Sequence, residues 1–217
     1  MSYQLVEKQV IYNGKKVKLE VHHLEDRDDP NKRTRREVCV HPGAVVVLPI
    51  LPDGRVMLIR NRRYTIEQYL VELPAGTLEK GEDPINCAGR ELVEETGYLA
   101  GRLKPLGAFY SSPGILTERL YAFAAYDLQK TSQELEEGEE IEPMPVRLDD
   151  AIEMIRTGQI QDAKTIAALL MFERFHLGKA VAPAPAATAT TPPGAAAGRC
   201  ASTRARWWCC RFCRTGG

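Results

Sequence analysis

The sequence predicts a mixed fold, an α+β or α/β/α sandwich, from three observations. Strand-like apolar patterns lie on both sides of one central helical segment. That segment carries its own start and stop residues, Asp83-Pro84 and Gly97. Two amphipathic stretches, "DDAIEMIRTG" and "DAKTIAALLMFERFHLG", then follow the last strand pattern.

Taken in order, "YQLVEKQVIY" and "KKVKLEVHHL" flank Asn13-Gly14, a pair that favours a two-residue hairpin turn. Val17, Leu19 and Val21 alternate with charged neighbours, so one face of that hairpin is apolar. Residues 25–36, "EDRDDPNKRTRR", read as a loop, and "EVCVHPGAVVVLPIL" reads as one largely buried strand. A Pro52-Asp53-Gly54 turn leads into "DGRVMLIRNRRY". Beyond the central helix, "LKPLGAFYSS", "RLYAFAAYDL" and "IEPMPVRL" read as strands. Each closing helix is expected to open at an aspartate and to end near a glycine.

The 217 residues, 44% hydrophobic and 27% charged, suit a soluble globular chain. The formal charge of zero conceals an asymmetry: residues 180–217 hold five arginines and no acid, which leaves 24 basic against 29 acidic residues before them. An acidic body argues against a nucleic-acid partner. No apolar run approaches the roughly 18 residues a membrane span requires, and "MSYQLVEKQV" has no leader pattern, so a cytoplasmic protein without a membrane partner is expected. Cys39 and Cys87 are too few for a disulfide framework.

Composition divides the chain into N-terminal strands (1–40), a main domain (41–179) and a tail (180–217). Ala, Pro, Thr and Gly dominate the tail as far as Gly198, which predicts a disordered linker. Cys200, Cys209, Cys210 and Cys213 offer four thiols, but the adjacent Cys209-Cys210 suits a single tetrahedral zinc site poorly. Truncation after Lys179 is expected to preserve activity.

The acid-rich stretch "GTLEKGEDPINCAGRELVEETGY", residues 76–98, raises the functional question. Glu91, Glu94 and Glu95 stand three and four apart, and like charges at that spacing weaken a helix by about 0.2–0.5 kcal/mol per pair. Ile85, Ala88, Leu92 and Thr96 mark the expected buried arc, with the carboxylates beside it. A solvated face paired with Arg90 is the ordinary explanation of such a pattern. Its weakness is repulsion, about 1 kcal/mol for two charges 4 Å apart in water and about 4 at an effective dielectric of 20. A divalent cation reverses that sign, and hard oxygen ligands suit Mg²⁺ or Mn²⁺. In "ELPAGTLEKGE", Pro74 and Gly76 are expected to form a turn whose carbonyls face the helix.

Gly76, Glu82, Arg90-Glu91-Leu92, Glu94-Glu95, Gly97 and Tyr98 occupy the positions of G-x5-E-x7-R-E-U-x-E-E-x-G-U, where U is a bulky apolar residue. The stretch resembles the Nudix box; Tyr98 is the loosest fit, and Gly89 stands mid-helix where alanine is frequent. This resemblance implies a Nudix-type α/β/α sandwich with a mixed central sheet, and Mg²⁺-dependent hydrolysis of nucleoside diphosphates linked to another group. It implies Glu91 and Glu95 as metal ligands with the Ala75 carbonyl, Glu94 assisting, and Arg90 and Glu82 orienting the glutamates.

"SSPGILTE", with Pro113 fifteen positions past Tyr98, together with "REVCVHPGAVVVLP", "NRRY" and "ELPAG", is similar to the ADP-ribose pyrophosphatase group. That likeness implies that Arg63 and Glu118 hold the phosphates and terminal ribose, with Ser112 in the same pocket. It further implies a homodimer that exchanges N-terminal strands, with Arg36 reaching substrate in the partner subunit; a solvated "KRTRR" loop is the competing reading. The acidic run "ELEEGEEIEP" stands where the group takes its catalytic base, which nominates Glu137 as base, Glu139 as a further metal ligand and Gly138 as a pivot. The implied reaction is attack of water on the pyrophosphate of ADP-ribose, releasing AMP and ribose 5-phosphate. The alternatives are the same hydrolysis of another nucleotide sugar such as GDP-mannose, and a non-catalytic ADP-ribose sensor.

Overall fold

The computed structural model describes residues 2–15, 17–135 and 137–177. The tail cysteines, the linker and the boundary near Lys179 lie outside the described residues.

Ten strands and three α-helices follow in chain order: β1 (Tyr3–Asn13), β2 (Lys18–Asp26), β3 (Arg33–Val40), β4 (Ala44–Pro49), β5 (Val56–Arg63), β6 (Gln68–Glu72), β7 (Ala75–Thr77), α1 (Pro84–Thr96), β8 (Tyr98–Tyr110), β9 (Arg119–Lys130), β10 (Ile141–Val146), α2 (Leu148–Arg156) and α3 (Ala163–Met171). A single π-helical turn, Phe172–His176, extends α3. β1, β2 and β3 form an antiparallel sheet. A second sheet runs β10-β5-β6, and a third runs β7-β4-β9-β8 with β4 and β9 parallel, which makes it mixed.

The sandwich follows from alternation along β4. Val46 and Leu48 pack with Ala151 of α2 and with Ala168 and Leu169 of α3. Val45 and Val47 point to the opposite face and pack with Cys87, Ala88 and Leu92 of α1. A strand buried on both faces reads as a continuous apolar run because every residue meets a helix layer, which is why "AVVVLP" lacks polar interruptions. At α1, the Asp83 side chain accepts from the Ile85 N–H, Pro84 occupies the first turn, and Gly97 adopts φ 68° while its N–H returns to the Val93 carbonyl.

Four sequence expectations need correction. Residues 33–36 are not loop: they begin β3, whose register pairs Arg36 with His22 and Arg33 with Glu25 on β2. The segment expected to be one strand is two, because β3 ends at Val40 and His41-Pro42-Gly43 intervenes before β4, with Gly43 at φ 109°. Ile85 is exposed, and Cys87 takes its place on the buried arc of α1. α2 opens at Arg147 without a side-chain cap, leaving Asp149 and Asp150 inside its first turn, where they still complement the helix dipole. α3 does open at Asp162, whose carboxylate accepts from the Thr165 N–H.

Candidate active site

β7 and the C-terminal half of α1 line a cavity of about 840 Å³. Ala75, Gly76 and Thr77 pair with β4, so the expected turn is a short strand. The contact with the helix runs through a donor: the Ala75 N–H donates to Glu95 Oε2 at 2.8 Å. Gly76 is required by proximity, since a Cβ there would stand 1.8 Å from the Glu91 carboxyl carbon.

Arg90 organises the carboxylates. Its Nε and Nη2 donate to the two Glu82 oxygens, each at 3.2 Å, while Nη1 donates to Glu91 at 2.7 Å and to Glu94 at 2.9 Å. These bonds hold the Arg90 pKa above its ordinary value, Glu82 first and Glu91 next. Glu95 sits deeper, only 4% exposed. Burial, reinforced by the charges of Glu91 and Glu139 and opposed by the Ala75 N–H, pushes its pKa up to about 8. Burial likewise raises Glu91 to about 6, against the pull of Arg90 and with Glu94 and Glu139 adding to the rise. Glu91, Glu94, Glu95, Gly138 and Glu139 line the cavity with Arg63 and Arg90. Among the described residues, no group of three or more His, Cys, Asp or Glu side chains is gathered tightly enough to hold a metal ion.

Arg63 stands where this cavity meets a second one of about 470 Å³, and both include Ala75, Gly76 and Thr77. Its Nε and Nη2 donate to Glu72 at 2.7 and 2.5 Å. Glu118 lines the smaller cavity and lies 3.5 Å from His41 Nδ1. The neighbouring Ser111, and not Ser112, is on that wall; Ser112 turns the chain by accepting from the Ile115 and Leu116 N–H groups.

Glu137 is exposed and is not on the wall of either cavity, whereas its neighbours Gly138 and Glu139 line the larger one. Arg36 is on the wall of neither cavity; it is exposed on β3, where its Nη1 donates to Thr34 Oγ1 and the Arg35 carbonyl. Sequence reasoning missed Glu72, Asp162 and Lys164. The last two reach the smaller cavity from the start of α3, and the only local signal was two charges at the head of an otherwise apolar helix.

A mixed α/β sandwich with a carboxylate-lined cavity beside the Gly76 strand is the setting in which the chain's likeness to known hydrolases is found. The NUDIX domain family model matches residues 40–169. Over 167 residues, 76% of this chain and 89% of the relative, the chain is 41% identical to the ADP-ribose pyrophosphatase of Bacillus subtilis. It is 39% identical to the methanol dehydrogenase activator of Bacillus methanolicus over 73% of this chain and 86% of that one. It is 34% identical to an Escherichia coli GDP-mannose pyrophosphatase over 71% and 85%. A solved structure described as an ADP compounds hydrolase shares the fold at a TM-score of 0.70 and 23% identity, covering 80% of this chain and 93% of the other. The chain belongs to the Nudix family and is a Nudix hydrolase.

Proposed function

We propose that this chain hydrolyses ADP-ribose to AMP and ribose 5-phosphate with Mg²⁺ or Mn²⁺ as cofactor. The observation that carries the reading is the wall of the larger cavity, which Glu91, Glu95 and Glu139 line together with Arg63, a residue shared with the smaller cavity. The relative at 41% identity, an ADP-ribose pyrophosphatase, selects the substrate.

Nudix hydrolases generally depend on divalent metals. The donors here are hard oxygens, and burial with mutual repulsion raises the pKa of both Glu91 and Glu95, an imbalance that a cation relieves. In kind they fit Mg²⁺: Glu91 and Glu95 would hold it with the Ala75 carbonyl and Glu139. Bound there, the cation would neutralise the pyrophosphate and lower the pKa of the attacking water.

The protein's own groups do the rest. Arg63 binds a phosphate through the donors its contact with Glu72 leaves over, a guanidinium having five. Arg90, fixed by Glu82, orients Glu91 and Glu94. Glu118 takes hydroxyls of the terminal ribose, with Ser112 or its neighbour Ser111 beside it. Glu137 accepts the proton of water; Gly138, at φ 89°, is the pivot that brings it inward.

The chain acts in the cytoplasm as a homodimer on this reading. Among the described residues both cysteines are free thiols, as in a reducing compartment, and no helix is long and apolar enough to cross a membrane. All eleven residues of β1 are exposed, and Leu5, Val6, Val10, Ile11 and Tyr12 present apolar surface on an edge strand. Arg36, on the wall of neither cavity of its own protomer, fits a contact with the partner's substrate.

AMP release from ADP-ribose and GMP release from GDP-mannose, each with Mg²⁺ and Mn²⁺, test the reading. ADP-ribose is expected to be cleaved with the higher kcat/KM. Preference for GDP-mannose, which the 34% identical relative would favour, overturns the substrate; cleavage of neither favours a sensor.

A further inference from the structure

The smaller cavity is walled by charges that the reading above does not yet use. Lys164 Nζ lies 2.5 Å from Glu72 Oε2 and 3.0 Å from Asp162 Oδ1. Exposure is graded across this cluster: the Glu72 side chain is 0% exposed, Lys164 14% and Arg63 38%. One buried carboxylate is thus paired with two cations that line the cavity. A second interaction fixes the arrangement, because the Leu73 N–H, next to Glu72, donates to Thr165 Oγ1, and Thr165 Oγ1 donates to Asp162 Oδ2 at 2.6 Å. α3 and β6 are thereby joined beside the cluster.

Neutralising Glu72 does not require both cations, since the Arg63 fork already satisfies two of its acceptor sites. An ammonium has three donors, and Glu72 and Asp162 account for two of those of Lys164. Asp162 and Glu118 supply acceptors on the same wall, and Phe109 and Leu120 supply apolar surface. Cations, hydroxyl-accepting carboxylates and an apolar wall together match a phosphorylated sugar better than a neutral base. The position matches too, because Arg63 lines both cavities and the metal-binding carboxylates line only the larger.

We propose that Lys164, held by the buried Glu72, is a further anion contact, beside Arg63, for the sugar-phosphate half of the substrate in the cavity beside α3. Glu72 is a positioning residue, acting through Lys164 and Arg63. The proposal rests on the pyrophosphatase reading for its substrate.

The test is Lys164→Met in the full chain, with Lys164→Arg as the conservative variant and Lys164→Gln as the second choice should the methionine protein fold poorly. Competitive inhibition by ribose 5-phosphate is expected to weaken about tenfold or more, the size of one lost charge-assisted hydrogen bond, while inhibition by AMP stays within about twofold. KM for ADP-ribose rises with kcat little changed, and Lys164→Arg restores both inhibition and KM. Unchanged ribose 5-phosphate inhibition, or equal weakening for both products, overturns the proposal. Calorimetric titration of ribose 5-phosphate into wild type and Lys164→Met separates the two readings. A wild type that fails to cleave ADP-ribose yet binds ribose 5-phosphate in a Lys164-dependent way sinks the activity and keeps the subsite. A wild type that cleaves ADP-ribose but shows no Lys164-dependent binding does the reverse.

Discussion

The Glu72 carboxylate holds the Arg63 guanidinium by two parallel hydrogen bonds, from Nε at 2.7 Å and Nη2 at 2.5 Å, with no exposure of its own side chain to solvent. The pair joins the end of β5 to the end of β6 and sets the arginine at the seam of the two cavities.

That pairing makes stability depend on pH. Burial alone would raise the Glu72 pKa, but Arg63 and Lys164 outweigh it and hold it below the ordinary value of 4.5. A carboxylate depressed in the folded state contributes stability above its unfolded pKa and loses it as pH falls through the folded one. Glu72→Gln should therefore cost about 3 kcal/mol at pH 7, as for one removed partner of a buried pair, and less as the pH is lowered below about 4.5. Urea unfolding at pH 7 and at pH 3.5 measures the gap; a gap independent of pH would show that Glu72 is not ionised in the folded protein.

Glu95→Gln should separate activity from stability in the opposite sense. Burial works against the charge of Glu95, so the amide is expected to leave the melting temperature unchanged or higher. Turnover of ADP-ribose should fall by about three orders of magnitude, about 4 kcal/mol of barrier. Added Mg²⁺ should raise the melting temperature of wild type and not of the variant. Near-normal activity of Glu95→Gln at saturating Mg²⁺ would refute the metal assignment.

Gly76→Ala tests the close approach of β7 to α1. The added methyl collides with the end of the Glu91 side chain, which can swing away at small cost in stability. Activity should drop at least about tenfold while stability changes by less than about 1 kcal/mol. Full activity would mean that the position of Glu91 is not needed for the reaction.

Gly89→Ala should stabilise the protein by about 0.5–1 kcal/mol, the helix-propensity difference, because a methyl there meets only Leu103 Cδ1 at 3.9 Å. Thermal unfolding measures it, and kcat should be unaffected. A destabilised variant would reveal a steric demand on α1 that the contact distance does not show.

Much of the fold was legible because it is written in short-range physics. Asp83, Pro84 and Gly97 satisfy the backbone groups of α1 from within the same fifteen residues, so its ends could be read directly. β3 was missed because Arg33–Arg36 have no strand pattern of their own and become a strand by pairing with β2. Ser111 replaced Ser112 on the cavity wall, and Glu139 lines the cavity where Glu137 does not; single positions of this kind depend on register, which local composition does not specify.

By itself, the sequence determined the spacing of Gly76, Glu82, Arg90, Glu91, Glu94 and Glu95, and with it the family, because one continuous stretch of short strand, loop and helix carries the whole constellation. Tertiary structure alone decided that Glu72 would meet Lys164, ninety-two residues away in the chain. That contact requires the end of β6 to meet the start of α3. A buried ion pair gains its mutual attraction, and offsets the desolvation cost of its charges, only when distant segments meet, and a linear reading of either segment carries no trace of it.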